Sequence, residues 1–142
     1  MTRAGSAALA GGAAAAVWAA AEPLAQRIFG TTYSDVRLLG APFSRHRWRA
    51  AGLAIHLANG AAAGVAFDRL GLRGWRQGVV AFQVETIATW PLMLLVDRYH
   101  PDRRSGAWPP LLRNRRVFAQ EAAVHALFGA LLGAALGRAA NS

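Results

Sequence analysis

The chain has no cysteine, which excludes disulfides and thiolate metal sites. It has no lysine either, so all sixteen Lys-or-Arg positions are arginine. That bias accompanies a high alanine content and reads as coding bias, so no mechanism is attached to it. Acidic residues are scarce, seven in 142, and the net charge is +9. There is no P-loop, dinucleotide fingerprint or G-x-S-x-G elbow, the usual sequence handles of nucleotide and nucleophilic chemistry. No catalytic residue, cofactor or metal site is assigned, and an enzymatic role is the less expected one.

What the chain does have is apolar length. Hydrophobic residues make up 54% and charged residues only 16%. The mean hydropathy of +0.22 is held down by loops dense in arginine. A membrane span needs roughly 20 mostly apolar residues to cross about 30 Å of hydrocarbon. Residues 7–29, 50–67, 77–96 and 117–137 meet or approach that length. The expected fold is an all-α integral membrane four-helix bundle in a single domain, residues 1–142. The first segment also resembles a secretory signal peptide, with Arg3, an apolar run and small residues at 19–21. Apolar character resumes after Pro23 with Leu24, Ile28 and Phe29, so a retained span is expected.

Arginine placement sets the expected orientation. Loop 30–49 carries Arg37, Arg45, Arg47 and Arg49, and loop 98–116 carries Arg98, Arg103, Arg104, Arg113, Arg115 and Arg116. The opposite side carries Arg3, Arg69, Arg73, Arg76 and Arg138. Short arginine-rich loops stay cytoplasmic, so both termini are expected outside the cytoplasmic membrane. Trp48, Trp75 and Tyr99 fall at span ends, where amphipathic rings suit the lipid–water boundary.

An internal repeat organises the rest. His56 to Arg69 and His125 to Arg138 both read H-x3-G-x3-G-x4-R, offset by 69 residues. Tyr33, Arg37, Gly40 and Ala41 align with Tyr99, Arg103, Gly106 and Ala107 at an offset of 66. The repeats are expected at about 7–70 and 75–138, each a helix, an arginine-rich loop and a helix. Two crossings per half preserve the sense of crossing, as in transporters with parallel repeats.

Steps of four put Gly60 and Gly64 on one helical stripe, and Gly129, Gly133 and Gly137 on another. Within lipid, helix association rests on close van der Waals contact, which such stripes permit. They are expected to pack within the chain or to form a homo-oligomer, with the two stripes able to meet each other.

Ionisable residues inside a membrane are costly and normally face a protein interior or a wet cavity. Glu22, His56 and His125 fall at a similar depth, roughly 10 Å from one span end at about 1.5 Å per residue; Glu121 lies one turn before His125 on the same face, and Asn59 three residues after His56. Glu85 is expected nearer the middle of the third span. This cluster reads either as hydrogen-bonded glue between helices, which outweighs, or as a pathway for protons or a small polar solute. Pro23 and Pro91 fall within spans and can kink them.

Arg45, Arg47, Arg49, Arg103, Arg104, Arg113, Arg115 and Arg116 are expected to meet anionic lipid headgroups or a cytoplasmic protein partner. Trp48, Tyr99 and Trp108 interleave with them and could stack on bases. Positive-inside sorting explains the charge without a nucleic acid, and none is expected. His46 and His100 are expected to be solvated.

Tyr99-His100-Pro101-Asp102 resembles the YHPD signature of J-domain co-chaperones. In that family the tripeptide follows helix II and stimulates the ATPase of an Hsp70 partner. The resemblance covers about eight residues. The preceding stretch, 86–96, has no Arg or Lys where the family has a basic helix, and the match is taken as coincidental. Overall, the chain resembles small four-helix bacterial membrane proteins of unknown function. That resemblance implies a four-helix fold in the cytoplasmic membrane and no active residues.

Overall fold

The computed structural model describes residues 2–139; the last residues of the expected C-terminal tail lie outside them. Helix α1 runs over Arg3–Phe29, capped by Thr2, whose hydroxyl accepts the Gly5 N–H. It passes through Pro23 unbroken and ends at Gly30, where φ is 63°, a left-handed turn that glycine adopts without a Cβ clash. Helix α2 (Asp35–Gly40) is capped by Ser34. Helix α3 covers Trp48–Arg69 and α4 covers Trp75–Thr89. A 3₁₀ turn at Trp90–Leu92 then leads into α5 (Met93–Tyr99). That turn falls on Pro91, which has no N–H to continue the α-helical ladder. Helices α6 (Pro101–Arg104) and α7 (Arg115–Ala139) complete the fold, and no strand occurs among the described residues. Each long polar loop therefore contains a short helix that its composition had hidden.

Among the described residues four stretches are long and apolar enough to cross a membrane: Arg3–Phe29, Trp48–Arg69, Trp75–Tyr99 and Arg115–Ala139. Helix α1 packs along α3 and α7, and α7 packs along α4. The glycine stripes do not meet each other, contrary to the arrangement considered from sequence. Gly60 and Gly64 lie against Ala7, Gly11 and Ala15 of α1, whereas Gly129 and Gly133 lie against Gly78 and Gly74 at the start of α4. Gly137 approaches Gly74 as well. The reason is steric. Each stripe finds small residues on its own neighbour, so backbones close to contact there.

Between the glycine contacts and the loops the helices spread, and aromatic rings fill the gap. Trp18, Val124, Phe128 and Leu132 are buried in the principal core. Helices α3 and α4 share no extended interface; they meet where Phe67 stacks on Phe82, 6.2 Å between ring centroids.

A second core lies under the loops, built on Tyr33, Trp108, Leu111 and Val117. Arg37 forks onto Asp102, joining α2 to α6. Asp97 accepts from the Leu111 and Leu112 backbone N–H groups and from Arg103. His100 was expected in water and is instead buried. Its Nε2 lies 3.2 Å from the Leu38 carbonyl, its Nδ1 accepts the Asp102 N–H, and its ring stacks on Trp108. Burial pushes its pKa below the ordinary histidine value. His46 is exposed. Tyr33 is buried and Tyr99 exposed although they align in sequence. Burial, then the Asp35 charge, holds the Tyr33 phenol well above its ordinary pKa.

Candidate functional site

On α1, Trp18 and Glu22 are one turn apart and both buried. Glu22 receives two hydrogen bonds from the start of α2, the Asp35 N–H at 2.5 Å and the Ser34 hydroxyl at 2.6 Å. A carboxylate at a helix start satisfies backbone donors that the helix itself leaves open. Asp35 turns the other way and accepts from Trp18 Nε1 at 3.1 Å and the Tyr33 hydroxyl at 2.9 Å.

Helix α7 brings Glu121 and His125 to the same place. Glu121 is almost fully buried, its side chain 4% exposed. His125 Nδ1 lies 2.9 Å from the Glu121 backbone carbonyl, so that nitrogen carries hydrogen. His125 Nε2 lies 3.1 Å from Glu85 Oε2 on α4. That contact holds a proton, on the ring or on the carboxyl. His56 of α3 stands edge-on to Trp18 at 4.9 Å, and His125 stands on Trp18 at 4.4 Å.

These groups border a cavity of about 450 Å³. Its polar lining is Asp35, His56, Asn59, Glu85, Glu121 and His125, with Thr86 and Thr89 beside them. Leu38, Ala63, Phe82, Trp90, Met93 and Phe128 supply apolar wall, and no arginine reaches it. Among the described residues two buried side-chain atoms, His56 Nε2 and Glu121 Oε1, have no hydrogen-bond partner. Glu85 is the most open member, its side chain 46% exposed.

The structure sorts the residues selected from sequence. His56, Asn59, Glu85, Glu121 and His125 share the cavity. Glu22 sits behind it, engaged by Ser34 and Asp35. Glu85 lies level with His125, and both fall near the middle of their helical stretches, Trp75–Tyr99 and Arg115–Ala139. Asp35 and Trp18 were not selected. Their signals are slight: an i, i+4 pairing of Trp18 with Glu22, and an acid just beyond Tyr33. Among the described residues no group of three His, Asp or Glu side chains is arranged to hold a metal ion.

On the loop side, Arg45, Arg47, Arg49, Arg104, Arg113, Arg115 and Arg116 are exposed. Arg103 differs. It bonds Asp97 and the Trp108 carbonyl and is partly buried. His100 and Asp102 of the YHPD stretch are buried and bonded within the chain, so neither is presented to an Hsp70 partner.

Comparison with protein-family models, with curated proteins and with solved structures found no match to the chain.

Proposed function

We propose that the chain is a multi-pass protein of the cytoplasmic membrane, a four-span bundle of two tandem helical hairpins. Its cavity forms part of a pathway for protons or a small polar solute. One observation carries this reading. His56 Nε2 and Glu121 Oε1 are buried without partners, and both belong to residues lining the cavity that Glu85 and His125 also line. Side chains serving only as glue between helices have their polar atoms satisfied, since an open valence in hydrocarbon costs free energy. Glu22 fits the glue role; His56 and Glu121 do not. Away from the loops, Phe82 packs edge-on against Phe128 and stacks on Phe67, which supports access from one side only in this conformation.

The repeat reading is supported by the way each glycine stripe seats its own hairpin partner. The orientation reading, with both termini outside the cytoplasm, is supported by eight exposed arginines on the two long loops, Arg98 among them, since short arginine-rich loops stay cytoplasmic. The pathway reading is tested in proteoliposomes. Glu121→Gln and His125→Ala should each abolish a proton or solute flux carried by the parent chain. A parent without flux, or variants with full flux, would reject it.

A second reading rests on those same arginines. A non-catalytic, oligomeric scaffold would use them to dock anionic lipid or a cytoplasmic partner. Exposed Val80, Val84, Ile87 and Leu94 on α4 and α5 would then face lipid or a second copy. Replacing Arg113, Arg115 and Arg116 by alanine would weaken association with anionic vesicles and leave any flux unchanged.

A further inference from the structure

The cavity's open valences also specify the kind of molecule that would fill it. His56 Nε2 has no hydrogen-bond partner among the described residues. In the neutral ring that carries its hydrogen on Nδ1, Nε2 is a bare lone pair. The second unpartnered atom, Glu121 Oε1, is also an acceptor. Both residues are more than nine-tenths buried and both line the cavity. Two acceptors without donors call for a ligand that brings N–H groups.

Charge points the same way. Glu85 is balanced by the proton it shares with His125, but Asp35 and Glu121 also line the cavity and no arginine does. A cation restores the balance. An alkali or alkaline-earth ion prefers a shell of several oxygens, whereas this cavity is largely apolar and one of its open acceptors is an imidazole nitrogen. The remaining wall, including Leu38, Phe82, Trp90 and Met93, suits a hydrocarbon or aromatic body. The aromatic faces add attraction for a cation. Helices α3 and α4, which flank the cavity, share no extended interface, so an apolar body has a sideways route in from the bilayer.

We propose that the cavity binds an amphiphilic primary or secondary ammonium, with its N–H groups on His56 Nε2 and Glu121 Oε1 and its apolar body against the α3–α4 gap. This deepens the solute-pathway reading and rests on it for the cavity's role, though binding can be measured without flux.

The test is calorimetric titration of the full chain in uncharged detergent. The probes are 2-phenylethylammonium, its N-trimethylated analogue and 2-phenylethanol. The primary ammonium should bind at least about tenfold more tightly than either analogue, as expected when a donor and a charge are both required. Glu121→Gln, if it folds, should remove that preference. Equal binding of the alcohol or of the trimethylated cation would overturn the proposal, as would no saturable binding of the amine. The probe series on the parent chain decides the matter even if the variant does not fold. Amine binding without any flux would sink the pathway and keep the ligand; proton flux without amine binding would do the reverse.

Discussion

Arg37 and Asp102 are joined by two hydrogen bonds, Nε to Oδ2 at 2.8 Å and Nη2 to Oδ1 at 2.6 Å. The carboxylate side is nearly buried, 8% exposed, while the guanidinium is 38% exposed. The pair connects the first polar loop to the second, 65 residues apart. Removing Arg37 leaves Asp102 with its charge in a poorly solvated place. Arg37→Ala is expected to cost about 2–3 kcal/mol, between the ranges for charged hydrogen bonds and for broken buried pairs. Arg37→Lys should recover less than half, because an ammonium cannot make the paired contact. Thermal unfolding in detergent measures both.

His100 predicts a pH dependence with a definite sign. Its geometry requires a neutral ring, with Nε2–H on the Leu38 carbonyl and Nδ1 accepting from Asp102 N–H. Desolvation lowers its pKa in the fold, and the Leu38 hydrogen bond and Asp102 only partly oppose this. The unfolded chain therefore takes up the proton first. The contribution to stability is fully present above about pH 6.5 and is lost as pH falls from there through the folded value. Melting temperature should drop between about pH 7.5 and about pH 5.5. His100→Gln should lower stability at the upper end and shrink that drop.

Adjacent glycines on α1 should respond oppositely to the same substitution. A Cβ on Gly11 would run into the Gly60 carbonyl, whereas on Gly12 the nearest atom is the Leu57 carbonyl oxygen at 3.9 Å. Gly11→Ala should cost about 1–3 kcal/mol by overpacking. Gly12→Ala should be neutral or stabilising by up to about 1 kcal/mol from helix propensity. Comparable losses at both positions in a detergent melt would mean that α1 and α3 do not approach here.

The absence of cysteine makes orientation directly measurable. His46→Cys should react with an impermeant maleimide only from the cytoplasmic side, and Leu70→Cys only from the opposite side. Both positions are exposed. Labelling of both from one side would end the four-span reading.

Helix number and the glycine contacts were legible because hydropathy and four-residue spacing are local properties. The partners of the stripes were not. Any small-residue stripe can seat any other, and only the fold shows that Gly60 meets Gly11 while Gly129 meets Gly78. Glu22, His56 and His125 could be placed at one level because helical rise fixes relative depth, and Glu121 beside His125 because residues four apart share a helix face. Asp35 escaped because a lone acid in a polar loop carries no periodicity, and Trp18 because it looked like one more apolar residue in a span. His100 was misjudged for a related reason. Its neighbours in sequence are charged, but its neighbours in space are a carbonyl and an indole.

The contact between Glu22 and the head of α2 changes how far the bundle insulates its two ends from each other. At about 1.5 Å per residue, α1 is about 40 Å long, and its outer surface still presents Leu24 and Ile28, beside Arg27, in its last turns. Inside, Glu22 already meets the head of α2 some seven residues before the helix stops. The roof of the bundle thus hangs roughly 10 Å below the rim that lipid would touch. For a full bilayer core of about 30 Å, only about 20 Å of apolar barrier then separates loop-side polarity from the far face.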